Sequence, residues 1–193
     1  MTSQTKVTGV ILAGGQASRM NYQDKGLQLF RGQPLIHYSF SALRPLVDEL
    51  VINANRNLET YQTFGVPVIS DITQDFSGAL AGILAVMCDS NADVLLIVPC
   101  DAPFITTEQL CYLLEQHKQN DADITVACTG EQVHSVFLVV KKSLQANLES
   151  YLAQGDRKVR LWFKQHKTQY VDFGADATGF ENINTLAELN AIV

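Results

Sequence analysis

Two adjacent glycines, Gly14 and Gly15, follow the apolar run Val10-Ile11-Leu12-Ala13, with Ser18-Arg19-Met20 and Asp24-Lys25-Gly26 shortly after. Glycines at the end of a buried strand let backbone N–H groups converge on one concave spot, where an anion can sit. Arg19 and Lys25 add the full positive charge that a backbone lacks. A polyphosphate suits this combination best. The wording matches neither G-x-x-x-x-G-K-[ST] nor G-x-G-x-x-G, so neither a P-loop ATPase nor a dinucleotide dehydrogenase has its signature here.

Pro99-Cys100-Asp101-Ala102-Pro103 places a carboxylate at the end of the most apolar run, residues 94–98. Mg2+ keeps one or two protein carboxylates and completes its shell with water and phosphate oxygens, so one Asp suffices. Alone, an Asp between prolines reads as a turn residue; beside a phosphate loop it reads as the metal ligand. Asn53 and Asn55 close the run 50–54, and Asp71 follows the run 66–70. Such groups can bond a base edge or a ribose hydroxyl. We read Asn53 and Asp71 as ligand contacts and Asn55 as a turn residue. Gly78 and Gly82 either admit a base or sugar at a helix start or pack that helix tightly on a sheet. Asn182 and Asn184 flank Ile183, so in an extended segment both amides share a face. They suit a polar heterocycle, a hydrated metal or an ordinary turn, with Thr185 as the next helix cap.

These groups need a frame. Strand-like runs fall at 7–12, 50–54, 66–70, 94–99, 124–127 and 136–140, with a short one at 169–173. Helical patterns lie at 34–46, 78–88, 106–118, 143–153, 157–166 and 185–192. Pro34 marks one start and Thr106-Thr107-Glu108 another. The runs before residue 100 are almost continuously apolar, as parallel strands covered on both faces are. Alternating strand and helix predicts an α/β fold: an open, doubly wound, mostly parallel sheet in three layers. Its ligand crevice lies at the carboxyl ends of the strands.

The chain has 193 residues, 47% hydrophobic, with no repeat or linker, which predicts a single domain over 1–193. Its formal charge of −6 argues against a general nucleic-acid or anionic-membrane binder. No apolar run is long enough for a bilayer, and residues 1–6 lack a signal-peptide core, so a cytoplasmic protein is expected. Four scattered cysteines without C-x-x-C read as free thiols, and the four histidines show no zinc spacing. Arg157, Lys158, Arg160, Lys164 and Lys167 surround Trp162 and Phe163. The preferred reading is a solvated amphipathic helix; the other is a landing site for a phosphorylated acceptor. No Ser–His–Asp or Cys–His arrangement is legible. Phosphate held by backbone and cations, with a metal nearby, points to phosphoryl or nucleotidyl transfer.

Together, Leu12-Ala13-Gly14-Gly15, Ser18-Arg19-Met20, Asp24-Lys25-Gly26, Asn53-Ala54-Asn55, Asp71, Leu80-Ala81-Gly82, Cys100-Asp101-Ala102-Pro103 and Asn182-Ile183-Asn184-Thr185 resemble the molybdenum cofactor guanylyltransferase family. The opening motif is shared across the nucleotidyltransferase superfamily, whereas the asparagine motifs are more specific. The resemblance implies a Rossmann-like nucleotidyltransferase fold and transfer of GMP from GTP to molybdenum-molybdopterin, with pyrophosphate released. It also implies nucleotide contacts at Leu12, Ala13, Gly14, Lys25, Asn53, Asp71 and Asp101, with Gly15 in the same loop. Asp101 would bind Mg2+; Asn182 and Asn184 would lie on the pterin side. Lys25, Asp101 and Arg19 form the catalytic set, and the N-terminal half binds nucleotide while the C-terminal half binds acceptor. Molybdenum-insertion proteins and recipient molybdoenzymes or their chaperones are the further partners implied. Asn21, Ala79 and Leu186 depart from the family pattern of Gly, Pro and Pro, and none is a catalytic group. Two alternatives stay open: a related nucleotidyltransferase using CTP or a sugar-phosphate acceptor, and a nucleotide-binding regulator without turnover.

Overall fold

The computed structural model describes residues 5–15, 24–72 and 78–183, and residue 188. Within them β1 (Val7–Leu12), a hairpin of β2 (Leu29–Phe30) and β3 (Gln33–Pro34), and α1 (Leu35–Leu43) come first. Next are β4 (Glu49–Asn53), α2 (Leu58–Gln62), β5 (Val68–Ile69), α3 (Ala79–Asp89), β6 (Val94–Pro99) and α4 (Thr107–Asn120). Then follow β7 (Ile124–Thr129), β8 (Gln132–Lys141), α5 (Gln145–Ala153), α6 (Val159–Phe163) and β9 (Thr168–Asp172).

The main sheet has the order β5-β4-β1-β6-β8-β7-β9. β1 pairs in parallel with β4 and β6, and β4 with β5. The order therefore reverses at β1, and the crevice opens outside its carboxyl end. β8 runs antiparallel to both β6 and β7, while β7 and β9 pair in parallel. The reversed strand has a local cause. Only Gly130 and Glu131 separate β7 from β8, and Gly130 takes a φ of 56°. A two-residue turn with glycine first closes a hairpin and is far too short for a crossover.

Side-chain alternation divides the core into two faces. Ile11, Ile52, Leu96, Val98 and Val139 pack with α1 and α4 through Ile36, Leu43, Leu110 and Leu113. Val10, Val51, Leu95, Ile97 and Leu138 pack with α3, α5 and α6 through Leu80, Ile83, Leu148, Trp162 and Phe163. Helix, sheet and helix make the three layers. A third, small cluster of Phe30, Leu35 and Ile183 fastens residues near the C-terminal end to the β2–β3 hairpin.

Several boundaries differ from the pattern-based expectation. The run 66–70 forms only two paired residues, and 136–140 grows to a ten-residue strand. The 157–166 helix shrinks to five residues, and α2 and the β2–β3 hairpin had no clear apolar period to announce them. Pro34 caps α1 rather than entering it. The cap on α4 is a full box, with Thr106 paired to Gln109 rather than to an acidic residue. The expected 185–192 helix falls outside the described residues except for Glu188.

Candidate active site

Parallel register sets Leu12 beside Asn53 on one side and beside Pro99 on the other. Three strands thus end abreast. Two backbone bonds carry the pairing past the strand ends: Ala13 N donates to Asn53 O at 2.8 Å, and Cys100 N to Leu12 O at 3.1 Å. Gly14 and Gly15 consequently leave β1 with the asparagine loop on one flank and Asp101 on the other.

On the first flank, Asn53 is 2% exposed and sits between two glycines from different elements. A Cβ on Gly14 would come within 3.2 Å of Asn53 Oδ1, and one on Gly82 would collide with the same oxygen. Of the two readings of Gly82, tight packing is therefore the one found. Asn53 Nδ2 donates to Asp71 Oδ1 at 2.9 Å and to Ile69 O at 3.1 Å. Asn55 Nδ2 donates to Asp71 Oδ2 at 2.9 Å, and Asn55 Oδ1 accepts the Asp71 N–H at 2.8 Å. Asn55 also reaches Gly14 O, and Arg56 donates to Gly15 O at 3.1 Å. Asn55 is thus more than a turn residue. It clamps Asp71 and the glycine loop at once, and Arg56 beside it adds a cation that spacing did not single out.

On the other flank, Lys25 Nζ stands 3.3 Å from Asp101 Oδ2. Asp101 is 6% exposed. Burial raises its carboxyl above the ordinary range, and the Lys25 ammonium opposes that rise. The next residue upstream of Lys25 supports it. Asp24 accepts bonds from the buried Tyr61 hydroxyl, from Gly26 N at 3.2 Å and from Asn57 Nδ2 at 3.0 Å. Burial, with Cys100 and Asp24 nearby, pushes the Tyr61 phenol far above its ordinary value, so it stays a neutral donor. Burial likewise drives the Cys100 thiol up, which makes it a packing group and not a nucleophile.

Ile183 N donates to Asp101 O at 2.9 Å, so Asn182 stands next to the residue bonded to the Asp101 peptide. Arg19 and Asn184 lie outside the described residues. In the basic 157–167 segment the helix keeps only Val159–Phe163, and within it the inward aromatics and outward charges of the preferred reading are found. Trp162 and Phe163 are buried, Arg160 and Lys164 are exposed, and Trp162 Nε1 donates to Asn147 at 2.8 Å.

Among the described residues no group of three or more His, Cys, Asp or Glu could hold a metal. A single buried carboxylate beside a phosphate-type loop still fits a hard divalent ion whose remaining ligands are water and phosphate. Asp101 is the buried carboxylate in that position.

A sheet reversing at β1, a glycine loop leaving that strand and a lysine–carboxylate pair beside it define the class of α/β nucleotidyltransferases. The family model described as MobA-like NTP transferase domain matches residues 9–170. A molybdenum cofactor guanylyltransferase of Ralstonia pickettii is 42% identical over 201 residues, covering 100% of this chain and 98% of its own. One of Shewanella putrefaciens is 43% identical over 182 residues, covering 94% and 93%. The molybdopterin-guanine dinucleotide biosynthesis protein A of Archaeoglobus fulgidus superposes with a TM-score of 0.79 at 20% identity, over 95% of each chain. A CMP:2-keto-3-deoxy-manno-octonic acid synthetase does so with 0.78 at 15% identity, over 97% of each. These two likenesses speak for the fold. The chain belongs to the molybdenum cofactor guanylyltransferase family, and it is a nucleotidyltransferase. Use of a divalent metal comes with that membership. No described helix is long and apolar enough to cross a membrane.

Proposed function

We propose that this chain, acting as one domain in the cytoplasm, transfers GMP from GTP to molybdenum-molybdopterin. The terminal phosphate of the pterin attacks the α-phosphorus of GTP; that P–O bond forms as the α–β P–O bond breaks, and pyrophosphate carries away the electron pair. The attacking phosphate is already largely ionised near neutral pH, so no general base is needed. Gly14 and Gly15 leave room for the phosphates, and their amides, with Leu12 and Ala13 behind them, line the triphosphate side. Lys25 carries the charge that develops on the departing oxygens, with Arg19 assisting. Asn53 and Asp71 face the nucleoside, and Asn182 and Asn184 the pterin. Mg2+, held by Asp101, would neutralise phosphate charge when bound.

The observation that carries this reading is the 3.3 Å Lys25–Asp101 pair at the end of β6, abreast of the glycine loop. An isolated binding module has no use for a desolvated carboxylate aimed at its phosphate lysine. Molybdenum-insertion proteins and recipient molybdoenzymes or their chaperones are the partners this activity calls for. The test is pyrophosphate release with GTP, Mg2+ and a molybdopterin-loaded donor protein. Release is expected; GTP binding without release would leave a regulator. Thermal shifts with GTP, CTP, ATP and UTP check the base, and stabilisation by CTP alone would overturn guanine.

A further inference from the structure

Lys25 has one carboxylate as its chain neighbour and another beside its ammonium. Asp24 precedes it directly; Asp101 stands 3.3 Å from its Nζ. The pairing with Asp101 is the useful one, so something must satisfy Asp24 without spending the lysine. Three neutral donors do this. The Tyr61 hydroxyl and Gly26 N take one oxygen of Asp24, and Asn57 Nδ2 takes the other at 3.0 Å. Asp24 is buried, with 8% of its surface exposed. Its own carbonyl receives Gln28 Nε2 at 3.0 Å and Leu27 N at 3.3 Å, which fixes the turn Lys25 starts.

Both outside donors come from one short element. Tyr61 lies on α2, and Asn57 is its N-cap, held at a φ of 51°. That conformation is uncommon outside glycine and suits Asn. Tyr61 is fully buried, and a Cβ on Gly26 would approach its hydroxyl to 2.7 Å. Glycine there lets the phenol reach Asp24.

We propose that Tyr61 and Asn57 are positioning residues that saturate Asp24 with neutral hydrogen bonds and thereby direct Lys25 toward Asp101 and the nucleotide phosphates. The assignment rests on the proposed reading of Lys25 as a phosphate-binding group. Hydrogen bonds to charged groups are the strong ones, and removing one leaves an oxygen of Asp24 to draw the neighbouring ammonium.

The test is calorimetric binding of Mg2+-GTP, which needs no acceptor, alongside pyrophosphate release and melting temperature. Tyr61→Phe should weaken GTP binding about tenfold. Adding Asp24→Asn to Tyr61→Phe removes the competing charge and should restore much of that loss. A merely structural tyrosine would make the double variant at least as poor as the single one, and that result overturns the proposal. So does wild-type affinity in Tyr61→Phe. Asn57→Gly, at an exposed residue whose backbone glycine tolerates, carries the same test if Tyr61→Phe does not fold. Wild-type protein that binds GTP without releasing pyrophosphate would sink the transfer reaction while leaving this binding test decisive.

Discussion

The Ile183 N–H donates to the carbonyl of Asp101 at 2.9 Å, fastening a segment near the C-terminal end onto the carboxylate loop of β6. Ile183 itself is 2% exposed and packs on Phe30 and Leu35, so the fastening is backed by apolar burial. Its neighbour Asn182 lies one residue from that bond. Asn182→Ala should raise the KM for the molybdopterin acceptor about tenfold, while the Kd for GTP measured by calorimetry stays unchanged. An equal loss in both constants would place Asn182 on the nucleotide side.

Burial raises the Asp101 carboxyl above its ordinary range, and the adjacent Lys25 opposes that rise. Asp101→Ala removes the proposed metal ligand and should lower kcat about a hundredfold or more, with an unchanged circular dichroism spectrum. Chelating divalent metal should stop wild-type turnover. Near-normal pyrophosphate release from folded Asp101→Ala protein would reject the assignment.

The glycines separate packing from ligand contact. A Cβ on Gly82 runs into Asn53, so Gly82→Ala should cost about 1–3 kcal/mol, read as a fall in melting temperature, and should weaken GTP binding with it. A Cβ on Gly15 meets no described atom within 4 Å. Gly15→Ala should therefore melt like wild type yet bind GTP more weakly, because the proposed site puts the phosphates in that space. Unchanged GTP affinity in Gly15→Ala would move the triphosphate elsewhere.

His117 is 3% exposed on α4, with Nδ1 2.9 Å from Thr125 Oγ1. Burial, with Lys141 and Lys118 close by, pushes its imidazole down to about 4 from the ordinary 6.5, against the pull of Asp121 and Asp123. The unfolded chain therefore binds a proton between pH 6.5 and 4 that the folded one refuses. The contribution is fully present above pH 6.5, declines as pH falls toward 4 and is flat below. Melting temperatures across that window should fall less steeply for His117→Gln than for wild type. Parallel curves would show that other groups set the acid limit.

The α6 segment offers a contrast between charge and packing. Trp162→Ala opens a cavity beneath α6 and should cost about 3–5 kcal/mol, seen in urea unfolding. Arg160→Glu with Lys164→Glu touches only solvated groups and should leave the KM for the acceptor unchanged. A large rise in that KM would revive the reading of this helix as a landing site.

The bounds of β6 were legible because residues 94–98 are an unbroken apolar run that Pro99 stops, and the end of β1 because its apolar residues 10–12 run up to the paired glycines. The reversed strand β8 was not, because direction depends on the φ of Gly130 and not on hydropathy. Its first residues, Gln132 to Ser135, also lack a core pattern. The two flanks of the site differ in the same way. Asp101 could be picked out by its place after an apolar run. Asp24, Asn55, Asn57 and Tyr61 could not, since each matters only through partners distant in the chain. A short polar residue standing alone reads as a turn. α2 was invisible for a related reason: it buries one residue, and one residue has no period.

By itself, the amino-acid order determined the alternation of strand and helix, the place of the glycine loop and the family, because apolar runs and glycine spacing are local properties of the chain. Tertiary structure alone decided which carboxylate the lysine meets, which amides hold Asp71 and where the C-terminal segment docks. Those outcomes depend on distances across strands, and hydrogen bonds a few ångströms long form only after the sheet has set its order and register.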